Sequence, residues 1–245
     1  MDQNPQLSRR SALAGGLGAA FCGLSFPLFA DEAEDNEGED EVTKSPRKRR
    51  PRNRPKREKT WNYVTLDPEK CAQLAYDFYD PWGCMYGAIK AGMTVYAEAI
   101  EETNPEIAAT CRNFPFLALR AGKTGCGAME SLCGALNGSA FFMGLFVPDY
   151  GELCQLIQKV GDYIKETPMP QFHPQNDKHP NFVQSVSHSI LCKDNTTVWL
   201  AQDPSPEHRL LRPERCMRYT ATVLAFATTL LNEYFAQKEK EKKSV

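Results

Sequence analysis

The sequence predicts an all-α fold: a single helical-bundle domain with a Gly-rich turn between its central helices. Three observations predict it. Asp67-Pro68-Glu69 and Asn104-Pro105-Glu106 each place a capping side chain before a proline suited to the first helical position. Behind the first start, apolar residues recur at spacings of three and four, as in Cys71, Leu74, Ala75 and Phe78. No alternating apolar–polar run comes with hairpin turn signals.

Ahead of that domain the chain reads as an address and a spacer. Residues 1–30 run from a polar start through Arg9-Arg10 and an apolar stretch reaching Phe29, with Ala30 as the expected cleavage point. Ser8-Arg9-Arg10-Ser11-Ala12-Leu13 resembles a twin-arginine export signal, which implies delivery to the periplasm or cell envelope. A membrane role is expected only through an uncleaved leader. Residues 31–60 read as a disordered linker, low in apolar residues and interrupted by Pro46, Pro51 and Pro55. Eight acids and no base occupy 31–41, whereas ten bases and one acid occupy 44–59. The basic block is a solvated spacer or a tether to an anionic surface.

The helical domain is expected over 61–238, followed by a charged tail at 239–245. Its first helix starts at Asp67 and stops at Asp80-Pro81, because proline cannot continue it. A second spans roughly Trp82–Glu102, and a shorter third, from Asn104, is disturbed by Pro115. Ala121-Gly122-Lys123-Thr124-Gly125-Cys126-Gly127 is the Gly-rich turn, leading into a helix over Ala128–Phe146. Further helices are expected in 151–165 and at Pro213–Lys238. Between them lie a Pro-, Gln-, Asn- and His-rich loop at 167–181 and a helical or mixed segment near 181–192. Trp61, Tyr63, Tyr76, Phe78, Tyr79, Trp82 and Tyr86 read as core packing.

From residue 61 onward, 17 Lys/Arg stand against 21 Asp/Glu, an ordinary solvated surface, and no nucleic-acid face is expected. Gly122-Lys123-Thr124 lacks the earlier glycine and the preceding strand of a phosphate-binding loop, which excludes nucleotide. Hydrolase signatures of the Gly-x-Ser-x-Gly and His-Glu-x-x-His types are absent, as is the Cys-x-x-Cys of thioredoxin-type enzymes.

Cysteine is the unusual residue, with nine in all and eight beyond the leader, where Cys22 is a small apolar filler. Such a number points to disulfides, metal ligation or redox thiols. Cys126 and Cys133 are seven apart, two turns of the expected helix, and would share a face. His188 and Cys192, spaced i, i+4, would also face one way on a helix and could ligate one ion. Cys71, Cys111 and Cys154 read as buried small hydrophobes, and His173 and His179 as loop residues.

Cys133-Gly134-Ala135-Leu136-Asn137-Gly138, followed by Phe142-Met143-Gly144-Leu145, resembles the central motif of the redox-active family named for its C…GCAxxG…C…C spacing. Gly125-Cys126-Gly127 resembles that family's glycine cluster, and Gly83-Cys84-Met85 its first cysteine. Cys192 and Cys216 match its late cysteines. The resemblance covers roughly residues 62–235 and implies thiol redox or metal chemistry. Cys84 and Cys133 are the expected redox thiols, and Cys84, Cys126, Cys133, Cys192, Cys216 and His188 the candidate metal ligands. An iron–sulfur cluster or zinc is expected, since soft thiolates suit both. Without Cys-x-x-Cys-His, covalent haem c is not expected. The reading is therefore an exported redox or electron-transfer protein with an unidentified redox partner. Its alternative is a non-enzymatic structural or binding module with disulfide-paired or inert cysteines, tethered through the basic linker.

Overall fold

A computed structural model describes residues 59–244. The leader, its twin-arginine pair, Cys22 and nearly all of the charged linker lie outside the described residues. Eight α-helices order the rest: α1 (Pro68–Asp77), α2 (Cys84–Ile100), α3 (Pro105–Arg112), α4 (Gly134–Gly144), α5 (Tyr150–Glu166), α6 (Cys192–Leu200), α7 (Pro206–Leu210) and α8 (Arg212–Lys243). A 3-10 turn, Phe116–Gly122, lies between α3 and α4. Among the described residues there is no strand, only the isolated bridges Leu132–Leu191 and Met169–Ser185. The all-α expectation holds.

Capping chemistry sets the first helices as expected. Asp67 Oδ1 accepts from the backbone N–H of Glu69 and Lys70 at 2.9 and 3.2 Å, and Asn104 Oδ1 accepts from Ile107 N–H. α2 is apolar on nearly every side and forms the centre of the bundle, packed against α1, α3, α4 and α8. Its contact with α4 depends on small residues. A β-carbon at Gly138 would lie 3.0 Å from both the Ala88 methyl and the Met85 carbonyl oxygen. The aromatic residues Trp61, Tyr63, Tyr96 and Phe146 stack and pack edge-on beneath this contact.

Three expectations need correction. Residues 128–133 are not helical: Thr124, Gly125, Cys126, Gly127 and Ala128 take left-handed backbone conformations in succession, as does Glu130. That turn closes through Glu130 N–H to Thr124 O and Ser131 N–H to Gly125 O, so α4 begins only at Gly134. The segment before Cys192 is extended and irregular, with helix starting at Cys192 and again at Pro206. α6 opens on the polar run Lys193-Asp194-Asn195-Thr196-Thr197, which carries no apolar period. α7 had a readable start in Ser205-Pro206-Glu207, where Ser205 Oγ accepts from His208 N–H. Finally, α8 runs on through Lys243, because Gln237–Lys243 are strong helix formers joined by a Gln237–Glu241 hydrogen bond.

The 167–191 segment is held to α8 by buried charge. Arg218, fully buried, donates to both carboxylate oxygens of Asp177 and, at 2.7 Å, to Glu214. Tyr76 donates to the same Glu214 carboxylate, which ties α1 into the network.

Candidate functional site

Four cysteines stand in the opening turns of four helices. Cys133 is the N-cap of α4, Cys84 and Cys192 are the first residues of α2 and α6, and Cys216 lies one turn into α8. A helix N-terminus presents unpaired N–H groups and a partial positive charge, which favours sulfur as thiolate. The four helices bring these ends to one place, on a cavity of about 260 Å³. Its walls include Cys84, Cys192 and Cys216, with Lys123 and Arg212 at the rim. Cys133 is not on these walls but hydrogen-bonds to Cys84.

Two backbone devices produce the convergence. Gly134 lets α4 start against α2: a β-carbon there would lie 2.7 Å from the Gly122 carbonyl oxygen and 3.2 Å from Cys84 Sγ. The segments on either side of Cys133 and Cys192 pair antiparallel. Cys133 N–H donates to Ile190 O at 3.0 Å, and Cys192 N–H donates to Ser131 O at 2.7 Å. Asn195, nearly fully buried, fixes the second segment by donating to the Ser189 and Leu191 carbonyls while accepting from Tyr219 and Ser187.

The electrostatics distinguish the sulfurs. The Cys133 thiol is held down to about 7, first by a hydrogen bond from Cys84, then by the Ala135 and Leu136 N–H groups and the Arg215 charge, against burial. Cys84 is pushed well up, by that same bond and by burial. Of the two, Cys133 is the sulfur inclined to ionise and Cys84 the one inclined to keep its proton. Burial, and then the neighbouring sulfurs, push Cys192 up to about 11. The Tyr79 hydroxyl is also held up, by burial and by Cys216, to which it hydrogen-bonds. Arg215 sends Nη1 toward Cys216 Sγ at 3.8 Å, and Nη2 donates to Asn195 O.

The remaining cysteines stand apart. Cys71 and Cys111 are buried in the core and are pushed up by that burial, to about 12 and about 11. Cys154 is half-buried on α5. None of the eight described cysteines is bonded to another. Cys126 and Cys133 do not share a helical face. Cys126 sits exposed on the left-handed turn, since the glycines on either side favour that conformation over helix. His188 is exposed in the irregular segment, four residues before α6 begins, and so shares no helix with Cys192. Arg215 and Tyr79 are the site residues that sequence reasoning missed as functional. A signal existed for Arg215, since Arg215, Tyr219 and Thr222 share the buried stripe of α8. A charge on such a stripe marks a partner inside.

Among the described residues no three His, Cys, Asp or Glu side chains form a ready-made metal shell. Cys84, Cys192 and Cys216 line the cavity, and Cys133 hydrogen-bonds to Cys84. As a donor set they nevertheless fit iron: soft sulfur ligands, one already inclined to ionise, with a buried guanidinium alongside.

Fold and site together define a helical protein with a buried cluster of thiols at the starts of four helices, a redox-type site. The chain belongs to the family described as "Putative redox-active protein (C_GCAxxG_C_C)", which it matches over residues 97–230. That span contains Cys133, Cys192 and Cys216, whereas Cys84 precedes it. The chain is also 30% identical, over 179 residues, to the split-Soret cytochrome c of Desulfovibrio desulfuricans. The alignment covers 70% of this chain and 61% of that relative, so the chain spans about three fifths of the relative's length. A solved structure described as a novel iron centre in the same cytochrome superposes with a TM-score of 0.62 at 30% identity, covering 72% of each chain.

These relatives correct the cofactor expectation. An iron–sulfur cluster or zinc, with no covalent haem c, does not stand against a relative that is a cytochrome c with a novel iron centre. Sulfur donors alone do not select between zinc and iron, and the Cys-x-x-Cys-His test reads only one local attachment pattern.

Proposed function

We propose that this protein is an exported redox or electron-transfer protein. In this reading Cys84, Cys133, Cys192 and Cys216 form one site that holds an iron centre. The observation that carries it is the arrival of four thiols from four helix starts at a single cavity, three of them on its walls. Chance packing of small hydrophobes has no reason to gather helix starts, and at Cys133 the Ala135 and Leu136 N–H groups favour thiolate. The family's redox-active description and the iron centre of the cytochrome relative support the same chemistry. An iron centre held there would supply a one-electron couple. The chain's own residues supply a sulfur inclined to ionise at Cys133, a hydrogen bond to it from Cys84, a hydroxyl at Cys216 from Tyr79, and burial of Cys84, Cys133 and Cys192. Export rests on the Arg9-Arg10 leader.

One observation favours a second reading. The Cys84–Cys133 pair, hydrogen-bonded to each other, is arranged as a dithiol that a two-electron oxidant could convert to a disulfide with release of two protons. Anaerobic purification with metal analysis and a visible spectrum decides between them. We expect bound iron, lost in Cys133→Ala and Cys192→Ala and retained in Cys71→Ala. Metal-free protein with a mapped Cys84–Cys133 disulfide after mild oxidation supports the dithiol instead. Metal-free protein whose thiols never change state removes both.

A further inference from the structure

Arg215 is a cation buried almost completely, only 2% exposed, with no carboxylate partner among the described residues. Its neighbour Arg218, one turn on, shows the usual solution to the same burial, with Asp177 and Glu214 both against it. Arg215 has instead a backbone carbonyl on Nη2, the Tyr219 ring 4.4 Å from its guanidinium carbon, and Cys216 Sγ opposite Nη1. Its Nε is buried with no hydrogen-bond partner. The groups around it able to carry negative charge are Cys216, Tyr219 and Cys133. A buried charge persists only where something opposes it, and the thiol site is what Nη1 of Arg215 faces, through Cys216 Sγ at 3.8 Å.

We infer that Arg215 is the resident counter-cation of the thiol site, a positioning residue whose buried guanidinium, set against Cys216, offsets the negative charge the site takes up and raises the potential at which it is reduced. The inference rests on the reading of the four cysteines as one redox site. The sign follows from charge. An electron entering an iron centre adds negative charge to the site, as do the two electrons that break a Cys84–Cys133 disulfide until protons follow them, and a nearby cation stabilises the more negative state. Tyr79 adds a second donor on Cys216 in the same sense.

The test uses the full chain, reduced by dithionite through mediator dyes and followed by its visible spectrum, or by thiol counting if the protein is metal-free. In Arg215→Met the ratio of reduced to oxidised site at a fixed potential should fall at least tenfold, equivalent to 59 mV for one electron. Arg215→Lys, which keeps the charge, should fall less. An unchanged ratio in Arg215→Met, or equal loss in both variants, overturns the inference, because a merely structural role would not follow charge. Thermal unfolding supplies an arm independent of any couple. Cys133→Ala/Cys216→Ala strands the guanidinium, so adding Arg215→Met should restore part of the lost stability, whereas strictly additive losses overturn the inference. Should the wild-type protein show neither iron nor any thiol couple, the functional reading fails, and the unfolding comparison still decides whether the sulfurs are the counter-charge.

Discussion

Replacing Gly134 by alanine tests the close start of α4 against α2, on which the thiol cluster depends. The added β-carbon would lie 2.7 Å from the Gly122 carbonyl oxygen, 3.1 Å from the Met85 nitrogen and 3.2 Å from Cys84 Sγ. Two of these neighbours are backbone, so no flexible side chain can swing aside. Overpacking of this kind costs about 1–3 kcal/mol. Exchanging glycine for alanine in a helix returns up to about 1 kcal/mol, and less at the first helical position, so the net expectation is destabilisation by roughly 1–2 kcal/mol. For a domain of this size that lowers Tm by roughly 2–8 °C. Urea unfolding followed by circular dichroism, with a thermal melt, measures it. Gly144→Ala is the control on the same helix, where the nearest atom, Leu153 Cδ2, is 3.7 Å away. It should be neutral or stabilising by less than about 1 kcal/mol. If Gly134→Ala proves as stable as the wild type, the close approach is not what places Cys84 beside Cys133.

Two further outcomes are expected. Asp67→Ala removes the side-chain cap of α1 and should cost about 1 kcal/mol, read as a lower urea midpoint with an unchanged slope. Asp177 governs acid stability. Arg218, donating to its carboxylate, holds that group well below the usual carboxylate range. A depressed folded value gives stability that is present above the unfolded value, near ~3.9, and is lost as pH falls through the folded value. Wild-type Tm should therefore fall more steeply below about pH 4 than that of Asp177→Asn. Parallel curves for the two proteins would show that the Arg218–Asp177 contact is not the source.

Much of the fold was legible because its signals are local. The caps at Asp67 and Asn104, the prolines behind them and the apolar spacing of α1 act within a few residues, and each appears where expected. The glycines of the Gly-rich turn misled in one respect. The turn was expected to give way to helix at Ala128, yet with Gly125 and Gly127 at positive φ, Thr124, Cys126 and Ala128 lie in the left-handed region too. That delayed α4 to Gly134 and took Cys126 out of register with Cys133. α6 was missed for the opposite reason: its first two turns are polar, and its stability comes from the burial of Asn195, Thr196 and Trp199 against other parts of the chain.

By itself the sequence determined the all-α class, the first helices and the family to which the chain belongs, since composition, caps and an ordered cysteine pattern are properties of the linear chain. Only the tertiary structure decided which cysteines stand together. Spacing can place two residues on one helix face, but Cys84, Cys133, Cys192 and Cys216 belong to four helices, and their distances follow from packing at Gly134 and from the pairing of residues 130–133 with 190–193. The same holds for Arg215. Its charge is visible in the sequence, but its lack of a carboxylate partner among the described residues and its place beside the sulfurs arise only where α8 meets the thiol cavity.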